Sequence, residues 1–179
     1  PFALNNNKKV VISTATVALQ EQLIEKDLPL FRRIIPKEFS FVLAKGRQRY
    51  CCGEKLAGAA SAEGHGQQAL FEKKPKKSDI DLVNDMYEAY KKGKWDGDRD
   101  AWLKTIPDSV WMSIISDKHT CHSGLHAHRG CPFAKAREFL DKADVVVANH
   151  SLLMADLELG GGVILPEPEQ ALYMIDEAH

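Results

Sequence analysis

The sequence predicts an α/β fold built on a parallel sheet, and three runs of residues carry that expectation. Val10-Val11-Ile12, Val145-Val146-Val147-Ala148 and Leu172-Tyr173-Met174-Ile175 are short and continuously apolar. Parallel strands covered on both faces read this way, because neither face meets water. The second run leads directly into Asn149-His150 and the third into Asp176-Glu177. In open α/β sheets, ligands gather at that carboxyl end of the strands.

The elements follow in order. A first strand is expected within Lys8–Thr14, after the polar turn Asn5-Asn6-Asn7. Thr14 or Thr16 can cap a helix from Val17 to about Asp27, with Val17, Ile24 and Leu28 on one face and Pro29 as its stop. Phe39–Ala44 reads as a second strand. The character changes after Tyr50. Cys52–Gln68 is rich in Gly, Ala and Ser, and Lys73, Lys74, Lys76 and Lys77 cluster around Pro75. Ser78 opens a helix with Leu82, Met86 and Tyr90 on one face and Gly93 as its C-terminal cap. A loop with Trp95, Gly97 and Trp102 leads to a cysteine- and histidine-rich stretch, His119–Cys131. Pro132 suits the first position of a helix whose buried face carries Phe133, Ala136, Leu140 and Ala143. The original character returns at Asp144. The expected organisation is one α/β domain in two pieces, residues 1–44 and 144–179, with 45–143 inserted between them.

Length and composition bound the function. A chain of 179 residues is one domain, or one domain carrying an insertion. Apolar residues at 44% and charged residues at 27% exclude collagen, coiled coil and wholesale disorder. Lys plus Arg is 24 and Asp plus Glu is 25, so net charge attracts no acidic partner and any nucleic-acid surface is a local patch. No apolar run approaches the ~18 residues of a membrane span, and no signal peptide is visible. A cytoplasmic protein without a membrane partner is expected. The four cysteines, Cys51, Cys52, Cys121 and Cys131, are too few for a disulfide scaffold and favour a metal or redox use.

Four motifs carry chemistry. Asp176-Glu177-Ala178-His179 after an apolar strand suits phosphoryl transfer: the Asp can hold Mg²⁺ through water and the Glu can orient the attacking water. A solvated acidic turn is the alternative. Ser13-Thr14-Ala15-Thr16, at a strand end and helix start, offers hydroxyl and backbone N–H donors to a phosphate, or simply caps the helix. Asn149-His150-Ser151 follows a strand directly, as binding residues do, or caps the next helix. Cys51-Cys52, with Cys121, His122, His126, His128 and Cys131 much later, suits Zn²⁺ or an iron–sulfur cluster, or is a set of ordinary buried thiols and surface histidines.

Together and in this order, the motifs resemble the iron–sulfur helicases of superfamily two, closest to the bacterial DinG/YoaA branch related to XPD. The resemblance covers nearly the whole chain. Ser13–Leu23 is similar to motif Ia of that branch, and Lys45-Gly46-Arg47-Gln48-Arg49-Tyr50-Cys51-Cys52 to its entry into the cluster domain. Cys131-Pro132-Phe133 with Ala136-Arg137-Glu138 is similar to the exit, followed by Ala148–Leu153 and the Asp176–His179 box.

The resemblance implies part of a RecA-like helicase domain with a mostly helical iron–sulfur-type insertion. It implies an ATP-dependent 5′ to 3′ DNA helicase acting on single-stranded or forked DNA in repair or replication, using ATP, Mg²⁺ and a [4Fe–4S] cluster. Asp176 and Glu177 would serve Mg²⁺ and water, and His179 would couple the nucleotide site to DNA. Thr14, Gln20, Lys45, Arg47, Arg49, Asn149 and His150 would contact single-stranded DNA, Thr14 and Gln20 at its backbone. Cys52, Cys121 and Cys131 match three cluster ligands. The family's remaining cysteine falls near Leu125 or His126, so His126 or Cys51 would complete the set, or the cluster is lost. The resemblance also places a phosphate-binding loop before Pro1 and a second motor domain beyond His179, so this stretch alone is expected to be inactive. Two other classes remain open: a non-catalytic nucleic-acid-binding module with a Zn²⁺ or iron–sulfur knuckle, and a nuclease on the same scaffold.

Overall fold

The computed structural model describes residues 2–61, 76–118 and 130–177. In chain order its elements are α1 (Phe2–Asn5), β1 (Lys9–Thr14), α2 (Val17–Gln22), α3 (Leu28–Ile34), β2 (Phe41–Leu43), α4 (Gly53–Ser61) and α5 (Lys77–Lys91). After these come α6 (Asp108–Ile114), α7 (Pro132–Lys142), β3 (Val145–Asn149), α8 (His150–Glu158) and β4 (Ala171–Ile175). The chain divides into two compact units, one of residues 1–45 with 136–179, the other of residues 46–135. The division falls inside α7.

The first unit is the α/β one. Its four strands lie in the order β2-β3-β1-β4, all parallel. The register pairs Val10 with Val145 and Thr14 with Asn149 across β1 and β3, and Ser13 with Ile175 across β1 and β4. β3 sits between two strands and its Val145–Ala148 run is buried throughout, as its sequence predicts. β4 differs. Leu172, Met174 and Ile175 are 43%, 52% and 49% exposed, so this run is not covered on both faces. An apolar run records that a face is suited to burial. What packs over that face is decided elsewhere in the chain.

The first helical segment also departs from expectation. Thr16 caps α2 by accepting a hydrogen bond from the Leu19 N–H at 3.3 Å. Val17 lies 62% exposed, while Leu28 on the same predicted face is buried. Pro29 does not stop the helix. Residues Leu23–Asp27 widen into a π-turn in which the Leu28 N–H donates to the Leu23 carbonyl. Pro29 then falls in the first turn of α3, where its missing N–H costs no ladder bond. The wider turn removes the clash a proline ring makes with the carbonyl four residues earlier.

The loop after α8 is held from inside. Asp156 is fully buried. Its carboxyl oxygens accept N–H bonds from Gly162 at 3.0 Å, Val163 at 2.9 Å, Ile164 at 2.6 Å and Leu165 at 3.3 Å. Gly162 has φ +76°, and a Cβ there would lie 2.7 Å from the Glu167 side chain; glycine fits both constraints.

The second unit packs Leu56, Val83, Met86, Val110, Trp111 and Ile114 into one core. Each such side chain contributes about 1.5–3 kcal/mol when fully buried. Two of its helices, α4 and α6, lie where the sequence predicts no element. α4 is hidden by its small residues, since Leu56 is its only fully buried side chain. α6 has seven residues, too few for a periodicity to stand out. α5 closes as its sequence predicts: Gly93 takes φ +67°, and the Lys94 N–H reaches back to the Ala89 carbonyl at 2.9 Å.

Candidate functional site

In the first unit, the carboxyl ends of β1, β3 and β4 meet. β1 delivers Ser13 and Thr14, both buried, at 0% and 2% exposure. The Thr14 hydroxyl donates to the Thr16 carbonyl at 3.3 Å, and Gln20 of α2 is likewise buried. β3 delivers Asn149, whose Oδ1 accepts from the Leu152 N–H at 2.7 Å and caps α8. β4 delivers Asp176, whose backbone N–H donates to the Ser13 carbonyl at 2.9 Å. Glu177 follows with φ +51°, a left-handed conformation uncommon for a residue with a side chain. Its N–H donates to Asp176 Oδ1 at 3.1 Å. The ladder therefore runs one residue past β4 and ends in a turn that presents two carboxylates.

His150 lies at the centre of this junction. Its Nδ1 is 2.7 Å from Ser13 Oγ, and its Nε2 is 2.8 Å from the Asp176 backbone carbonyl. A carbonyl only accepts, so Nε2 carries a proton. In the neutral ring, Nδ1 then accepts from the Ser13 hydroxyl. Sequence reading put His150 beside the strand end and missed this bridge, because nothing local to residue 150 signals a partner at 13 or 176. A cavity of about 630 Å³ opens beside the junction, with Thr14, Gln22, Asp27 and Asp176 among its lining residues.

The second unit gathers the described cysteines. Cys51 and Cys52 are buried and Cys131 is half-buried. The Cys51 N–H donates to the Gly97 carbonyl at 2.9 Å and the Cys52 N–H to the Ile114 carbonyl at 2.7 Å. Burial pushes the Cys51 thiol well above its usual range, and the neighbouring Cys52 and Cys131 sulfurs push it further. The Tyr90 hydroxyl is raised to about 12, by burial first and then by Cys51, Cys131 and Cys52. That hydroxyl donates to the carbonyl of Gly130, the neighbour of Cys131, at 2.9 Å, and a Cβ on Gly53, the neighbour of Cys52, would lie 3.2 Å from it. Cys51 belongs to the apolar core of this unit. Gly97 brings its backbone against that sulfur and Pro132, where a Cβ would lie 3.0 Å and 2.4 Å away. Among the described residues, no group of three His, Cys, Asp or Glu side chains could hold a metal ion. Cys121, His126 and His179 lie outside the described residues.

The basic entry segment is already partnered within the second unit. The Arg47 guanidinium stacks 4.2 Å from the centroid of the Phe133 ring, and Arg49 pairs with Asp100. Both remain partly solvent-exposed. Lys45 is half-buried.

No family model matches the chain. Its likeness to curated proteins runs end to end. It is 70% identical over 179 residues to the ATP-dependent DNA helicase DinG of Photobacterium profundum, covering 100% of this chain and 26% of that protein. From end to end, the chain is similar to one stretch of a DinG helicase. It is 41% identical over 188 residues to DinG of Salmonella typhimurium, and 38% identical over 188 residues to DinG of Escherichia coli. Each match takes in 99% of this chain and 25% of the relative. The chain thus spans about a quarter of the length of these DinG proteins. The four-stranded parallel sheet is consistent with the RecA-like sheet that the resemblance implies. Among the described residues, no helix is long and apolar enough to cross a membrane.

Proposed function

We propose that this chain supplies part of the first motor domain, and the cluster-bearing insertion, of an ATP-dependent DNA helicase that moves 5′ to 3′ on single-stranded DNA in the bacterial cytoplasm. The supporting observation is the convergence of the Ser13-Thr14 strand end with the Asp176-Glu177 turn, in a chain 70% identical to a DinG helicase. Asp176 would hold Mg²⁺, which supplies charge stabilisation to the transferring phosphate, and Glu177 would orient the attacking water, the division of labour phosphoryl transfer requires. His179 couples this turn to the DNA-binding face. Thr14, Gln20 and Asn149 shape the strand ends on that side, and repair or replication forks supply the substrate. In the full-length protein, single-stranded DNA should stimulate ATP hydrolysis, and a duplex with a 5′ single-stranded tail should be unwound. Full-length protein that binds DNA and hydrolyses no ATP would return the chain to a non-catalytic binding module.

Residues 45–143 are proposed as the insertion, at the point where the duplex splits. Lys45, Arg47 and Arg49 contact phosphates there; Arg47 and Arg49 are held in place by Phe133 and Asp100. Changing Arg47 and Arg49 together to Glu should weaken single-stranded DNA binding of the full-length protein. The logarithmic salt slope should flatten by roughly 0.7 for each phosphate that is no longer neutralised. An unchanged slope assigns both residues to a solvated loop.

The donor set around Tyr90 fits an iron–sulfur cluster in part. Gly53 and Gly130, the neighbours of Cys52 and Cys131, both lie against the Tyr90 hydroxyl, and thiolates are the ligands such clusters take. Cys52, Cys121, His126 and Cys131 would hold it, with Cys51 left in the core. When bound, the cluster would brace the insertion, because the helicase cycle itself transfers no electron. Full-length protein prepared without oxygen should carry iron and sulfide and absorb broadly in the visible. His126→Ala should bleach it and expose residues 52–131 to protease, whereas His122→Ala and His128→Ala should not. Colourless anaerobic protein with neither iron nor sulfide would remove the cluster from this reading.

A further inference from the structure

The His150 ring is a strut between two strand ends. It leaves β3 as the first residue of α8. One nitrogen engages the Ser13 side chain on β1, and the other engages the backbone of Asp176 beyond β4. The same two strands are joined by the Asp176 N–H on the Ser13 carbonyl. The Asp176 carbonyl belongs to the peptide unit whose N–H is that of Glu177. A donor on that oxygen therefore fixes the orientation of the plane from which Glu177 departs, at φ +51°. A left-handed residue that is not glycine persists only where its surroundings hold it, and the His150 Nε2–H is one such hold.

We infer that His150 is a positioning residue for ATP hydrolysis: it locks the Asp176–Glu177 peptide and ties it to the β1 end at Ser13. This rests on the helicase reading above, and it gives His150 a task other than touching DNA. Both ring nitrogens are spent inside the chain, so a phosphate contact would have to break one of these bonds. Movement at Ser13 would reach Glu177 through one ring, which links the β1 end to the water-orienting carboxylate. Misplacing a reacting group by about 1 Å is enough to cost 10²-fold in rate.

The test measures ATP turnover of the full-length protein at saturating single-stranded DNA, with DNA affinity measured separately without nucleotide. His150→Ala should lower kcat by roughly 10- to 100-fold, with KM for ATP and DNA affinity each within about twofold, the pattern expected when only the transition state loses support. His150→Gln can place an amide N–H near the Nε2 position and should recover about tenfold of that loss. His150→Asn reaches only as far as Nδ1 and should not. The Gln–Asn comparison separates positioning from folding, since both replace the ring by an amide and both lose its packing. Wild-type kcat in His150→Ala, equal rates in the Gln and Asn variants, or a fall in DNA affinity that accounts for the whole loss would each overturn the strut. Glu177→Gln, measured alongside, keeps the two readings apart. If it turns over ATP, the assignment of the acidic pair fails. If it is inactive while His150→Ala is normal, only the strut fails.

Discussion

Glu177→Gln in the full-length protein should abolish steady-state ATP hydrolysis while leaving nucleotide binding intact. General-base assistance is worth about 10²–10⁴-fold, so turnover should fall by at least about 100-fold. The geometry gives the reason. β4 ends at Ile175, the ladder continues to Asp176 through the Ser13 carbonyl, and Glu177 leaves the sheet in a left-handed turn. An amide of the same shape keeps that turn and its backbone bonds. It cannot accept a proton from water. Binding should survive because the substitution keeps the side chain's size and leaves Asp176 in place. ATP consumption at the wild-type rate would show that the carboxylate of Glu177 has no part in the chemistry.

Asp156→Ala should be the most destabilising single change in the first unit. Four backbone N–H groups, from Gly162 to Leu165, donate to this one buried carboxyl group. Hydrogen bonds to a charged group contribute about 1.5–3 kcal/mol each, and a buried donor left without a partner costs about 1–3 kcal/mol. The four bonds are not additive, since the loop can move toward water once released. A loss of about 3–5 kcal/mol is expected, a large share of the 5–15 kcal/mol by which a domain is stable. Asp156→Asn should cost less, because one oxygen still accepts while the new NH₂ faces N–H donors. Urea denaturation of the three proteins checks the order. A change below about 1 kcal/mol for Asp156→Ala would mean that water replaces the carboxyl group at no cost.

Much of the first unit was legible in the order of residues. β1, β2, β3 and β4 fall within the predicted runs or overrun them by one residue, and for β1 and β3 the reason is that a strand buried between neighbours leaves a continuous apolar signature. The Thr16 cap and the Gly93 stop were readable for a similar reason: each is a local solution to unpaired backbone groups. Misreadings came where a local rule met a nonlocal remedy. Pro29 normally ends a helix, and here a π-turn makes room for it. The Leu172–Ile175 run promised two covered faces, and half-exposed side chains remain. α4 and α6 escaped notice because one is built from small residues and the other is too short to show a period.

The sequence by itself determined the α/β class, the positions of the strands, and which residues stand at the strand ends: Ser13 and Thr14, Asn149 and His150, Asp176 and Glu177. Those follow from patterns that repeat within a few residues, and the physical chemistry behind them is local. Tertiary structure alone decided who meets whom. Residues 13, 150 and 176 share one ring, a carboxyl group at 156 holds the loop that follows it, and Gly53 and Gly130, next to Cys52 and Cys131, lie against the same phenol. The first of these meetings depends on the order in which parallel strands assemble, β2-β3-β1-β4. Strand order is a property of how faces pack and chains cross over, and no neighbouring residue in the sequence carries it.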